Sequence, residues 1–407
     1  MPKIIIKEAV SSDTTEAYQD YVVLIPGVSP VSKTKLYTTK EELDTDIATY
    51  DADVSHKNNP YNTTFANDMW YKYLMQLLNL NYVVLIGDLG ESNNKASFEK
   101  LTNYDNFWKQ FEDRGLYDIR FIVGCYDEDL ADVQDVDDKK AVEVVAENMI
   151  KCAATRGDAV ALIDTPKDTT SASDIATWCK GLTVDKVKRD DDIANDEDAM
   201  PYAGAFAPRF TAKELDNTYY PISLGYLSSI ALNLSTRPIY QAAAGRIGGK
   251  LPYTNVVTNV DYGDQAIDVL QTRTIGDKCC NVISTIRPFG NIVWGNRTLH
   301  AIESEDLSSK DFLNIRQLAC SIKKVVYRTA RKYTFEPNDD VLWINFTSDI
   351  IPTLNKMKSN RGIRSYRIEK LIDKKLGTLK AKIYVTPIDA VEDFDITIDL
   401  RNSIDNI

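Results

Sequence analysis

Histidine is nearly missing from these 407 residues: only His56 and His300 are present. A His-based metal site or catalytic triad would have to rest on one of them. His56 lies in the polar stretch Ser55-His56-Lys57-Asn58-Asn59-Pro60 and reads as a surface residue, whereas His300 reads as a structural histidine with a satisfied ring. Cysteine is sparse as well. Cys125, Cys152, Cys179, Cys279, Cys280 and Cys320 show no CxxC spacing, so neither a zinc site nor a disulfide framework is indicated. They read as reduced, mostly buried small hydrophobes. No apolar run approaches the roughly 20 residues of a membrane span, and the first eight residues lack the apolar core of a signal peptide. The expectation is a soluble chain made in the cytoplasm, in which the sequons at Asn62, Asn233, Asn296 and Asn345 have no meaning as glycosylation acceptors. Positive charge is also in deficit. A net charge of -12 argues against a nucleic-acid partner, because phosphate contacts need a basic surface.

What is there is an ordinary globular composition, 43% hydrophobic and 27% charged, with enough length for two or three cores. Residues 4–6 and 21–25 are short β-branched and apolar runs that read as strands. Residues 67–80 read as a helix, 82–86 as a buried strand, 107–114 as a helix and 119–124 as a second buried strand. Residues 138–156 read as a long helix capped by Gly157, with Val142, Val145, Met149 and Cys152 forming an apolar stripe. Residues 159–164 supply a third buried strand. This alternation indicates a parallel α/β sheet. The Asp-rich residues 180–200 read as an exposed loop, 203–207 as a fourth strand and 221–234 as an apolar helix.

After Leu299 the pattern changes. Ser308-x-x-Asp311 resembles a capping box, followed by the helical stripe Phe312, Ile315, Leu318, Ile322 and Val325. Residues 341–346 read as a strand, 349–360 as a helix closed by Gly362, and 379–385 and 394–400 as strands. The last hundred residues thus form an α+β unit separate from the α/β one.

Several patterns border on chemistry without completing it. Ala242-Ala243-Ala244-Gly245-Arg246-Ile247-Gly248-Gly249-Lys250-Leu251 resembles a phosphate-binding loop, but Ala244 and Leu251 stand where a glycine and a Mg²⁺-binding hydroxyl are required. Gly87-Asp88-Leu89-Gly90 follows a strand but lacks the third glycine of a dinucleotide fingerprint, and reads as a tight turn. The acidic residues 127–138 lack the Gly and Glu of a calcium loop and read as a solvated loop. Asp164 ends a parallel strand, a usual ligand position, where a helix-capping aspartate is the plainer reading. No catalytic, metal-binding or cofactor-binding residue is assigned and no cofactor is expected. An α/β nucleotide-binding protein or enzyme built on residues 67–210 stands as the alternative.

Pro288-Phe289-Gly290-Asn291-Ile292-Val293-Trp294-Gly295-Asn296-Arg297-Thr298-Leu299 resembles the signature of contractile tail sheath proteins, in which Trp-Gly-x-Arg-Thr-Leu recurs. Taken alone, it is a packed strand at a domain junction, with a buried aromatic, a glycine at a close backbone approach and an arginine suited to bidentate pairing. Tyr333-Thr334-Phe335-Glu336-Pro337-Asn338-Asp339-Asp340-Val341-Leu342-Trp343 is similar to the sheath pattern Phe-x-Pro-Asn-Asp followed by Leu-Trp. Residues 159–166 and Tyr384-Val385-x-Pro387 resemble further family positions. The structural anchors this implies are Gly290, Trp294, Gly295, Arg297, Pro337, Asn338, Asp339 and Trp343.

The resemblance implies a non-enzymatic subunit that polymerises as stacked rings of six around an inner tube and contracts to drive the tube through a target envelope. It would sit in a virion tail or tail-like particle, after synthesis in the bacterial host cytoplasm. Its partners would be copies of itself, the inner tail tube protein, and baseplate and tail terminator proteins, with no nucleic acid and no direct membrane insertion. The implied division is an N-terminal arm and strand at 1–25 joining the inner domain, an outer α/β region with a mainly parallel sheet at 26–287 (with a small subdomain at 26–66), an inner α+β domain at 288–386 and a C-terminal arm at 387–407. Strands carrying Ile4, Ile5, Ile6 and Phe394, Ile396, Ile398, Leu400 would add to neighbouring sheets and keep the lattice connected while domains rotate. Residues 356–382 hold ten basic side chains against two acidic ones, a formal charge of +8. Lys356, Lys358, Arg361 and Arg364 are expected to face the tube through screened, releasable ion pairs, a solvated basic face being the plainer alternative.

Overall fold

Continuous apolar runs become strands covered on both faces, as parallel sheets require. The computed structural model describes residues 21–52, 68–90, 98–124, 129–131, 133–136, 139–187, 198–286, 290–304, 306–371 and 378–390. In chain order the elements are β1 (Val22–Gly27), β2 (Lys35–Tyr37), α1 (Lys40–Ala52), α2 (Met69–Asn79), β3 (Val83–Asp88), β4 (Ile119–Ile122), α3 (Ala141–Arg156), β5 (Val160–Asp164) and α4 (Ala172–Gly181). There follow β6 (Ala203–Ala207), β7 (Phe210–Thr211), α5 (Ile222–Asn233), α6 (Gly245–Gly248), β8 (Val257–Thr258), α7 (Asp264–Leu270), β9 (Cys280–Ile286) and β10 (Gly290–Trp294). The chain continues with α8 (Leu313–Lys332), α9 (Asp340–Ser359), β11 (Ile363–Leu371) and β12 (Lys380–Pro387).

One eight-stranded sheet, in the order β10-β9-β6-β5-β4-β1-β3-β2, organises the first three quarters of the chain. Its interior pairings are parallel, and only the edges β2 and β10 run antiparallel. The mainly parallel α/β sheet read from the sequence is therefore present. The stripe on α3 is buried as its spacing dictates, and Gly157 caps the helix at φ 71° with its N–H on the Ala153 carbonyl at 2.9 Å. Each such large aliphatic side chain contributes about 1.5–3 kcal/mol by leaving water.

Several elements depart from the sequence reading. Residues 22–25, expected in the N-terminal arm, form a central strand between β3 and β4, because Val22, Val23, Leu24 and Ile25 are apolar on both faces. Residues 290–294, expected in the inner domain, are the antiparallel edge of the large sheet, paired with β9. The expected boundaries at 25 and 287 therefore do not divide the fold. Residues 341–346 are the first turns of α9 rather than a strand. Their β-prone composition is overridden because Phe346, Ile350, Leu354 and Met357 bury one helical face. Residues 107–114 yield only a short 3-10 turn (Trp108–Phe111), in which the Trp108 indole is fixed on the Leu101 carbonyl at 2.9 Å. Asp311 does not cap α8: its carboxylate accepts the Ser308 N–H at 2.6 Å, and the helix begins after Phe312. The strand β11 lies in a stretch that the sequence offered only as basic.

A buried charge cluster fastens α8 to the sheet. Arg156 pairs with Asp158 at 3.1 Å, and Lys324 of α8 reaches Asp158 at 3.3 Å and the Ile119 carbonyl at 2.8 Å. Burying these charges is tolerable because each finds opposite charge or a carbonyl. Beyond α8, α9 packs against β11, which pairs antiparallel with β12.

Candidate assembly surface

The first motif is a clamp. Gly295 sits at φ 121°, and a Cβ there would lie 2.6 Å from Gln271 Nε2 and 2.9 Å from Asn281 Oδ1, so only glycine fits. The Asn281 amide donates to the carbonyls of Ala205 at 3.0 Å and Arg297 at 2.8 Å, and its oxygen accepts the Arg297 N–H at 2.8 Å. One residue further, Asn296 accepts the Asn314 N–H at 3.1 Å and donates to Asn314 Oδ1 at 2.7 Å. The segment thereby fixes the start of α8 to β6 and β9. Arg297 is 2% exposed, with its guanidinium 5.2 Å from the centre of the Phe312 ring. Gly290 takes φ 80° at the start of β10. Trp294, read as a buried aromatic, is instead 36% exposed, because it ends an edge strand. Asn281 and Asn314 carried no signal in the sequence.

The second motif starts α9. The Asp339 carboxylate accepts the Leu342 N–H at 2.9 Å as the N-cap, and Asn338, next to the exposed Pro337, donates to the Thr378 carbonyl at 3.1 Å ahead of β12. Trp343 stacks on Phe346, ring centres 6.2 Å apart. Phe335 is wholly exposed at φ 76°, and Val341 and Ile344 are exposed on the outer side of α9.

β11 and β12 form a two-stranded sheet, with Tyr366 opposite Val385 and Ile368 opposite Ile383. Those four side chains pack partly against the core. Each strand pairs only with the other among the described residues, which leaves two edges whose backbone groups are open to a further strand. Ile4, Ile5, Ile6, Phe394, Ile396, Ile398 and Leu400 lie outside the described residues.

Lys356, Lys358, Arg361 and Arg364 are all exposed around the end of α9 and the start of β11. Lys356 and Arg361 also line a cleft of about 1220 Å³, while Lys358 and Arg364 lie outside its lining. The turn between them depends on two backbone adaptations. Arg361 takes φ 59°, and a Cβ on Gly362 would meet the Tyr240 ring at 2.5 Å.

The residues weighed for chemistry have structural partners. Asp164 accepts the Ser223 N–H at 2.9 Å in the first turn of α5. His300 is buried with Nδ1 2.7 Å from Asp311. Two of the three glycines of the phosphate-loop-like segment pack on backbone: a Cβ on Gly248 would lie 2.2 Å from the Ala242 carbonyl oxygen, and one on Gly249 would lie 2.3 Å from that of Val293. Asp129 accepts the N–H groups of Met69 and Trp70, both at 3.0 Å, and so caps α2. His56 lies outside the described residues.

Residues 305–401 match the phage tail sheath C-terminal domain family. No curated protein matches the sequence. Among solved structures, the chain aligns over 99% of its length with a sheath complex of the extracellular contractile injection system PVC in the contracted state, at 14% identity, TM-score 0.60 and 98% coverage of that chain. A chain from the contracted baseplate of the anti-feeding prophage aligns over 99% of this chain and 97% of its own, at 14% identity and TM-score 0.65. The sheath tail protein of Desulfitobacterium hafniense aligns over 96% of this chain and 98% of its own, at 10% identity and TM-score 0.53. The resemblance to contractile sheath proteins read from residues 288–343 is borne out, and the mixed α/β fold with its mostly parallel sheet is that of sheath proteins.

Proposed function

We propose that this chain is the sheath subunit of a contractile tail or tail-like injection particle, and that it works by assembly and rearrangement rather than catalysis. The observation that carries this is the match of residues 305–401 to a sheath C-terminal domain, within a chain whose whole length follows sheath folds. The subunits would stack as rings of six around an inner tube, associate with a baseplate and a tail terminator, and contract to drive the tube forward. In a bacteriophage or a related particle, the chain would be synthesised in the host cytoplasm. The domains proposed are those implied by the resemblance, an outer α/β unit and an inner C-terminal one, with the division moved past β10.

The open edges of β11 and β12 support strand exchange: a terminal strand carrying Ile4, Ile5 and Ile6, or Phe394, Ile396, Ile398 and Leu400, would extend this sheet in a neighbouring copy. Main-chain pairing of that kind tolerates rotation of the domains it connects. Lys356, Lys358, Arg361 and Arg364 would meet an acidic tube surface through ion pairs weak enough to release.

Electron microscopy of the purified protein tests the reading. Hollow striated cylinders are expected, whereas discrete monomers whose stability depends on a small ligand would favour an α/β enzyme. Reversing Lys358 and Arg364 to Glu, both outside the cleft, is expected to abolish assembly on tubes. Normal decoration of tubes by that variant would remove these residues from the tube interface.

A further inference from the structure

The cleft between the large sheet and α9 gathers positive charge that the described structure leaves unneutralised. Its lining includes Arg120 of β4, Arg237 after α5, and Lys356 and Arg361 at the end of α9. None of these four pairs with a carboxylate among the described residues, whereas Lys324 and Arg328 on the same wall are both held by Asp118. Arg120 is 1% exposed. Its Nη2 donates to the Gln317 carbonyl at 2.6 Å, but its Nε has no partner. Burial, and then the neighbouring Arg361, push the Arg237 guanidinium below its ordinary proton affinity, yet guanidinium groups stay charged at neutral pH. Like charges crowded in a partly desolvated cleft are relieved by an anion.

The chain itself carries one to the spot. The Ile388 N–H donates to the Gly362 carbonyl at 3.0 Å, beside Arg361, so the described chain approaches its end at 390 next to a residue that lines the cleft. Residues 391–407 hold Glu392, Asp393, Asp395, Asp399 and Asp405 against Arg401 alone, a formal charge of -4. At roughly 3.3–3.6 Å per extended residue they reach across it easily. The cleft also offers Ile239, Val325 and Met357 as apolar wall for Phe394, Ile396 and Ile398.

We propose that this cleft is the docking site for residues 391–407 of the same chain in the unassembled subunit, their carboxylates pairing with Arg237, Lys356 and Arg361. Docked there, the segment is withheld from neighbouring copies. That consequence rests on the sheath reading, but the docking does not.

Hydrogen–deuterium exchange of the full-length subunit, kept dilute, tests it at low salt (about 50 mM) and high salt (about 500 mM), between which the screening length shortens severalfold. At low salt, residues 231–241 and 391–407 are expected to be protected together, and at high salt to lose protection together. Replacing Asp393, Asp395 and Asp399 with Asn should speed exchange of both segments about tenfold, equivalent to ~1.4 kcal/mol. Arg237→Glu with Arg361→Glu should do the same, and adding Asp395→Lys and Asp399→Lys to that background should restore protection. Unchanged exchange of residues 231–241 in the Asn variant overturns the proposal. So does protection of 391–407 that appears only on raising the protein concentration, which would place the segment on a second copy. Exchange of β5 reports whether each variant is folded, and cylinder formation, scored separately by microscopy, reports on the sheath reading.

Discussion

Gly295 shows how a single residue sets a junction. Gly295→Ala places a methyl group against Asn281 at a φ of 121° and is expected to destabilise the chain by about 2–3 kcal/mol, measured by urea denaturation. A second prediction concerns Asp118. Burial alone would raise its proton affinity, but Lys324 and Arg328 outweigh that and hold its carboxyl below the usual range. The stability it contributes is complete above the unfolded carboxyl value of about 4, and is lost as pH falls through the lower folded value. The thermal midpoint should fall as pH drops from 5 to 3, less steeply in Asp118→Asn. An equal slope in both proteins would refute this. Gly295 and Arg297 were legible in the sequence through their motif. Asn281 was not, because its value lies in meeting the Ala205 and Arg297 backbones across the sheet, and nothing local marks it.

At the scale of elements, α9 is the instructive case. Val341-Leu342-Trp343-Ile344-Asn345-Phe346 is β-prone in composition, and the helix wins because the Asp339 cap starts it and Phe346, Ile350, Leu354 and Met357 hold it down. Asp339→Ala is therefore expected to cost about 1 kcal/mol, read as a lower unfolding midpoint and faster amide exchange in the first turn of α9. Unchanged exchange there would mean that packing alone starts the helix. The parallel strands were easier to read than β11, since an apolar run buried on both faces has few alternatives, while an exposed basic strand resembles a loop. Its pairing with β12 supplies the order that its composition does not.

For the whole molecule, burial governs reactivity. Cys152, Cys179, Cys279, Cys280 and Cys320 are buried thiols outside any disulfide, and burial raises the Cys152 thiol to about 12. A thiol reagent at pH 8 should leave these five unmodified until the chain unfolds, as mass spectrometry of the labelled peptides can check. Rapid labelling of Cys320 would show that α8 leaves the sheet readily. Beside the large sheet, the α9–β11–β12 unit carries a two-stranded sheet and the exposed Lys358 and Arg364. By itself the sequence determined the α/β alternation, the buried stripe of α3 and the two sheath-like motifs, because periodicity and rigid glycine positions are written locally. Only the tertiary structure decided that residues 22–25 are a central strand, that 341–346 are helical, and that Arg120 and Arg237 join Lys356 and Arg361 around one cleft. Strand order, helix burial and the meeting of like charges depend on contacts between residues far apart in the sequence, which no local pattern encodes.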